Sequence, residues 1–206
     1  MSKKKPSKEW VQIQNKDPYV KQARESHYRS RAVYKLQEID QKDKLIKPDY
    51  CVVDLGSAPG SWSQYASERI GANGRVIAVD ILPMEPIDRV LFTLGDFTDE
   101  IVEKACLQQI GEKGADLVIS DIAPNLTGIR VTDQARSMAL AEIVYDFCHQ
   151  ALKPGGDLLI KLFEGAGTSE YRQLLKKHFS KVMTRKPGAS RDKSREFYVL
   201  ARSYRL

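Results

Sequence analysis

The chain has few of the residues that most often carry chemistry, with three histidines and three cysteines in 206 residues. Cys51, Cys106 and Cys148 are odd in number, far apart and set in apolar patterns, so buried reduced thiols are expected rather than a disulfide framework. No Cys-x-x-Cys or Cys/His spacing is present, and no metal site is expected. No apolar run approaches the roughly 20 residues that cross a bilayer, so no membrane partner is expected. The basic N-terminus has no apolar core of the kind a secretory signal needs. Together these absences point to the cytoplasm.

Acidic residues are scarce at both ends. Residues 1–35 hold ten Lys/Arg against three Asp/Glu, and residues 172–206 hold eleven against two. The stretch between has twelve against twenty-two, although the net charge of the whole is +6. Solubilising tails are the plainer explanation. An acidic body with two basic ends instead suggests that the ends meet a polyanion. Membrane-surface binding fits less well, because the basic ends lack a strong amphipathic face carrying Trp, Phe or Leu.

Hydrophobic residues make up 42% of the chain, enough for one core. Residues 1–27 read as a basic, partly flexible N-terminal extension and 28–206 as a single domain. Weak periodicity over 1–20 predicts no regular element there. Helical spacing of Ala32, Val33, Leu36 and Ile39 predicts a helix over 28–46, stopped by Pro48. Apolar runs then alternate with helical stretches. Strands are predicted over 50–55, 75–80, 89–94, 115–120 and 157–161. Helices are predicted over 61–70, 98–110 with Thr98 as N-cap, 132–152 and 168–179, with a turn at Pro154-Gly155-Gly156. Such alternation means a mostly parallel sheet covered on both faces. Two last strands, over 181–186 and 196–202, have no helix between them and are predicted to form an antiparallel edge hairpin. A seven-stranded α/β sheet with that ending matches the class I, Rossmann-like methyltransferase fold.

The segment Asp54-Leu55-Gly56-Ser57-Ala58-Pro59-Gly60-Ser61-Trp62 follows the first buried strand and opens a helix, where open α/β sheets bind ligands. Gly56 and Gly60 let a ligand approach the backbone. Their spacing is not Gly-x-Gly-x-x-Gly, so no pyrophosphate cradle is expected, and an NAD-dependent oxidoreductase fits poorly. A compact cofactor without phosphates, such as S-adenosylmethionine, fits better. Asp54 is placed to hold turn amides or a ligand ammonium. Asp80, ending the second strand, is placed to accept from ribose hydroxyls, and Asp96, after the third, from an adenine amino group. A loop aspartate is more often a cap or turn residue, but three at successive strand ends favour a site. Trp62 is equally a core residue and a pocket wall.

The fourth strand ends in Ser120-Asp121-Ile122-Ala123-Pro124-Asn125 and the fifth in Ile160-Lys161-Leu162-Phe163. A lysine ending a buried strand is costly unless it is paired or functional, although a snorkelling lysine is the simpler account. Asp121 and Lys161 should lie on neighbouring strands at the ligand edge. Nothing in the pattern places Lys35 or Glu196 beside them.

These motifs, with Ser194-Arg195-Glu196-Phe197-Tyr198, resemble the FtsJ/RrmJ family of RNA ribose 2′-O-methyltransferases from about Tyr28 to the end. Within the family they look most like bacterial members that act on a uridine of large-subunit (23S) ribosomal RNA. The resemblance implies a catalytic tetrad of Lys35 (in Arg31-Ala32-Val33-Tyr34-Lys35-Leu36), Asp121, Lys161 and Glu196. It implies cofactor contacts at Gly60, Trp62, Asp80, Asp96 and Asp121, S-adenosylmethionine as donor, no metal, and a monomer. A lysine is ordinarily protonated at neutral pH, with a value of about 10.4. Burial and a second cation would lower that value, while two acids would oppose the drop. Lys161 is therefore either a general base or a fixed positive charge beside an alkoxide.

A polyanion fits the flanks. Lys3, Lys4, Lys5, Lys8, Lys16, Lys21, Arg24, Arg29 and Arg31 lead into Lys35, interleaved with His27, Tyr28 and Tyr34. Arg185, Lys186, Arg191 and Lys193 precede Glu196. Other substrates, tRNA or an mRNA cap, and a non-catalytic ribosome-assembly factor are the competing readings. Nothing singles out Tyr19, Tyr171, His149 or His178.

Overall fold

The computed structural model describes residues 17–125, 127–191 and 194–205. Apolar runs bounded by turn residues become strands β1 (Cys51–Leu55), β2 (Arg75–Asp80), β3 (Val90–Leu94), β4 (Ala115–Ser120), β5 (Leu152–Phe163), β6 (Phe179–Arg185) and β7 (Glu196–Tyr204). The helices are α1 (Pro18–Glu25), α2 (Val33–Asp43), α3 (Ser61–Arg69), α4 (Glu100–Ile110), α5 (Arg130–Ala151) and α6 (Thr168–His178). The strands form one sheet in the order β3-β2-β1-β4-β5-β7-β6. Neighbours from β3 through β5 run parallel. β7 inserts antiparallel between β5 and β6.

Every residue of β1 is buried. Its alternate side chains feed two cores, as a strand covered on both faces requires. Val53 and Leu55 join Ile77, Phe147 and Leu158 on one face. Val52 joins Leu36, Ile39, Trp62 and Ile119 on the other. Truncating a fully buried leucine such as Leu36 to alanine costs roughly 2–5 kcal/mol. Two aliphatic layers of this kind hold the strand ends, and so the loops that follow them, in fixed positions.

Four local features differ from the sequence expectation. Helix α1 forms where none was predicted: the Asp17 carboxylate accepts from the Tyr19 N–H, Pro18 occupies the first turn, and Ala23 is buried against the second core. Residues 1–16, including Lys3, Lys4, Lys5, Lys8 and Lys16, lie outside the described residues. Helix α2 begins at Val33, not Tyr28, because Ser30 takes the Ala32 N–H on its own hydroxyl and pairs with Ser61. Asp99 rather than Thr98 caps α4: its side chain accepts from the Ile101 N–H, while Thr98 donates to Asp96. The Pro154-Gly155-Gly156 turn lies inside β5, which starts at Leu152 with its pairing to β4 shifted between Ala115 and Leu117.

Candidate active site

The carboxyl ends of β1, β2, β3 and β4 open onto a cavity of about 490 Å3. Gly56 follows β1 with φ +77°, and a Cβ there would stand 2.9 Å from the Ile122 Cβ. The turn therefore admits no side chain. Gly60 has φ +101°, with the Arg29 guanidinium and Met84 packed where a side chain would go. Gly56, Asp80, Asp96 and Asp121 line the cavity together with Ile81, Leu82, Phe97, Ile122 and Leu140. Asp80 accepts from the Ala58 and Leu82 N–H groups, each at 2.8 Å. Asp96 accepts from the Thr98 N–H at 3.0 Å and hydroxyl at 2.8 Å. Both aspartates are thus turn residues and cavity walls at once, with carboxylate lone pairs to spare.

Asp54 lies deeper, beside a recess bounded also by Ser57, Trp62 and Asp121. It accepts the Ser63 hydroxyl at 2.6 Å. Complete burial, with the Asp121 and Asp80 charges adding to it against the Ser63 bond, pushes its carboxyl up to about 7. The Ser57 hydroxyl is buried without a partner among the described residues. Trp62 is both core and wall: it is 3% exposed, bounds the recess, and donates its indole N–H to the Ala32 carbonyl at 2.8 Å.

Two lysines and two acids meet at the edge of this cavity. Lys35, in the first turn of α2, lies with Nζ 2.7 Å from Glu196 Oε1 and 4.0 Å from Asp121 Oδ1. Lys161 of β5 lies with Nζ 3.1 Å from the same Asp121 oxygen and donates to the Asp121 carbonyl. The four side chains are between 8% and 20% exposed. Charges so enclosed cost several kcal/mol each unless paired, and alternation of sign offsets that cost. Burial alone would raise the Glu196 carboxyl, but the Lys35 ammonium outweighs it and holds the group below its ordinary value.

Proximity of Asp121 and Lys161 was legible from strand order; convergence of Lys35 and Glu196 on them follows from α2 packing on the sheet and β7 inserting beside β5. One participant escaped the sequence reading. The Tyr198 hydroxyl donates to Asp121 Oδ1 at 2.6 Å. Burial and the Asp121 charge push its phenol well above the ordinary value, so it remains a donor. A signal was available: Tyr198 stands two residues after Glu196, on the same face of a strand; in the structure it pairs in register with Lys161.

On the other side of the tetrad, Arg31, Ala32, Lys35, Arg191, Ser194 and Glu196 line a basic cavity of about 470 Å3. Several expected polyanion contacts are otherwise engaged. Arg29 donates to the carbonyls of Pro59, Glu85 and Pro86 at 3.2, 2.7 and 2.9 Å. Arg185 forms a two-pronged pair with Asp43 at 2.6 and 2.7 Å. Lys186 donates to the Ser194 and Glu196 carbonyls. Tyr34 is buried in the core, and the Tyr28 hydroxyl donates to Glu68 at 2.8 Å. A basic or aromatic residue in sequence does not distinguish a solvent-facing group from one holding its own chain together. Lys193 lies outside the described residues.

The donor set favours a particular ligand chemistry. The Asp80, Asp96 and Asp121 carboxylates lining the cavity at the strand ends suit a cation and hydroxyl or amino donors, and repel phosphate. The aliphatic and aromatic walls suit a flat apolar ring. No group of three or more His, Cys, Asp or Glu able to hold a metal ion occurs among the described residues. Among them no helix is long and apolar enough to cross a membrane.

A family model for FtsJ-like methyltransferases matches residues 28–204. A protein of Alkalilimnicola ehrlichii named ribosomal RNA large subunit methyltransferase E is 52% identical over 205 residues, which span 99% of this chain and 98% of that one. A Pseudomonas aeruginosa protein of the same name is 50% identical, over 100% of this chain and 99% of its own. The crystal structure of a Plasmodium falciparum protein assigned as a ribosomal RNA methyltransferase superposes with a TM-score of 0.79 at 32% identity, covering 86% of this chain and 98% of that one. Fibrillarin of Aeropyrum pernix, solved with natively bound S-adenosyl-L-methionine, shares the fold at a TM-score of 0.58 and 18% identity, over 84% and 75% of the two chains.

Proposed function

The chain belongs to the FtsJ-like methyltransferase family, and on that premise we propose that it methylates the 2′-hydroxyl of a uridine ribose in large-subunit (23S) ribosomal RNA, with S-adenosylmethionine as donor. The observation that carries the reading is the meeting of Lys35, Asp121, Lys161 and Glu196 at the rim of the acid-walled cavity. The names of relatives about half identical in sequence support the substrate.

The cavity suits the donor. Asp80 has acceptor capacity for ribose hydroxyls and Asp96 for an amino group, between the ring-sized apolar walls of Ile81, Leu82 and Phe97. Gly56 keeps the backbone bare where a ligand approaches, and the unpartnered Ser57 hydroxyl and buried Asp54 lie where polar groups of a methionine moiety would be received. When bound, S-adenosylmethionine supplies an electrophilic methyl carbon on a cationic sulfur, which needs an oxygen nucleophile in line with it.

A ribose hydroxyl is a poor nucleophile until its proton is leaving; with Lys161 held as an ammonium by Asp121, that proton passes to solvent water in the basic cavity. Lys161 is the group best placed to meet the developing oxyanion. Its ammonium is fixed by the Asp121 carboxylate and carbonyl, so stabilising that charge requires no reorganisation. Tyr198 and Lys35 meet the same Asp121 oxygen as Lys161, and Glu196 holds Lys35. Arg191 lines the cavity where RNA phosphates would lie, while Arg31 in its wall is held by the Asp17 carboxylate and the Ala189 carbonyl. Alignment of hydroxyl and methyl by these contacts accounts for much of the acceleration. The reading includes a cytoplasmic monomer.

Incubation with labelled donor and, in parallel, large ribosomal subunits, 23S rRNA and tRNA tests the proposal. Label in one uridine ribose of large-subunit RNA is expected. Label in tRNA alone, or in none of the three, would overturn it.

A further inference from the structure

A second groove of about 470 Å3 lies on the far side of the Arg195–Glu196 edge from the basic cavity. Val131, Met138 and Ala166 supply its apolar surface, and Arg130 and Arg195 its charge. The catalytic reading does not use it. Its wall is continuous with the reacting edge, since Phe163 pairs with Glu196 and the Glu164 N–H donates to the Arg195 carbonyl at 3.0 Å.

The apolar groups beside this groove are held out into solvent. Ile129 is 63% exposed and Val131 80%. The turn that presents them is tied down by one carboxylate: Asp133 accepts from the Thr127 N–H and hydroxyl at 2.7 Å each and from the Gly128 N–H at 3.1 Å. Two exposed aliphatic side chains on a pre-ordered turn, flanked by guanidinium groups, form a contact surface rather than a stray apolar residue. In the groove wall, Gln134 donates to the carbonyls of Phe163 and Ala166, at 3.2 and 2.9 Å, which fixes its amide. That leaves the amide oxygen buried and unpartnered among the described residues.

We propose that this groove seats an unstacked nucleobase of the substrate RNA adjoining the methylated nucleotide, with the backbone phosphates in the basic cavity across Glu196. The inference rests on the functional reading above. A nucleobase combines the required features: apolar faces for Val131 and Met138, and an attached phosphate for Arg130 and Arg195. A single RNA strand crossing the sheet edge over Lys161 would fill both grooves, and flat apolar rings alternating with anions match their difference in character.

Val131→Asp, alone and with Ile129→Ser, tests this by methylation kinetics on isolated large subunits, cofactor calorimetry and thermal unfolding. Both side chains are exposed, so the fold should tolerate the changes. KM for the subunits should rise about tenfold, the scale set by burying one branched aliphatic side chain against a base, with kcat, cofactor affinity and Tm unchanged. Asp133→Ala, which releases the turn, should raise KM less and in the same direction. Subunits carrying 4-thiouridine should crosslink through RNA to the wild-type peptide spanning residues 127–138. An unchanged KM would overturn the inference. So would a raised KM without RNA crosslinked to that peptide, which would mean a ribosomal protein docks there. A wild-type enzyme inert on large subunits would instead sink the functional reading itself.

Discussion

The two halves of the sheet treat their carboxylates differently. On the β2–β3 side, Asp54, Asp80 and Asp96 are bonded to hydroxyls and backbone N–H groups, and no lysine or arginine is paired with them among the described residues. On the β5–β7 side four acids have a cation: Asp121 with Lys161, Glu196 with Lys35, Asp157 with Arg202 and Asp43 with Arg185. The Asp80 and Asp96 carboxylates of the first half have no paired cation among the described residues; the four acids named in the second do. A binding half keeps its charge for a cationic ligand, whereas a reacting half needs its ammonium groups fixed before substrate arrives.

The sharpest way to break this contrast is Lys161→Ala. Turnover should fall about 10³-fold, while cofactor affinity, which belongs to the other half, stays within twofold; single-turnover assay and calorimetry check both. Asp54→Asn comes next and is read in stability. Burial raises this carboxyl from 3.8 to about 7, so the folded chain keeps a proton that the unfolded chain has released. Folding should weaken as pH climbs from about 4 to about 7, and the penalty should persist above that, by on the order of 4 kcal/mol at most. Urea unfolding of both proteins across that range should show a pH slope in the wild type that the variant lacks. Asp80→Asn should weaken cofactor binding about tenfold and leave kcat at saturation unchanged. Tyr198→Phe should have the smallest effect, a fewfold loss of kcat from one hydrogen bond to Asp121, with Tm near the wild-type value; an unaltered rate would make that hydroxyl a spectator.

Strand–helix alternation made the parallel body of the sheet readable, because period-2 and period-3.6 apolar patterns are local. Asp80, Asp96 and Asp121 were readable for the same reason, each closing a strand. Insertion of β7 between β5 and β6 is a long-range pairing that no local period encodes. Lys35 and Glu196 thus reached the site on family resemblance alone. Helix α1 was missed although Asp17-Pro18 is a serviceable start signal, since its short apolar face was outweighed by surrounding charge. The roles of Arg29 and Arg185 were misjudged because charge in a sequence does not say whether water, phosphate or a carbonyl will receive it.

Strand order also has a consequence for synthesis. As the chain leaves the ribosome, β6 emerges with no partner, because among the described residues its one neighbour in the sheet is β7, which follows it in sequence. Until β7 arrives, the β5 edge from Leu158 to Phe163 stays open, and unpaired edges invite association between nascent chains. Synthesis of β7 therefore both closes that edge and delivers Glu196 to Lys35: a chain stopped short of that strand would be sticky and inert together.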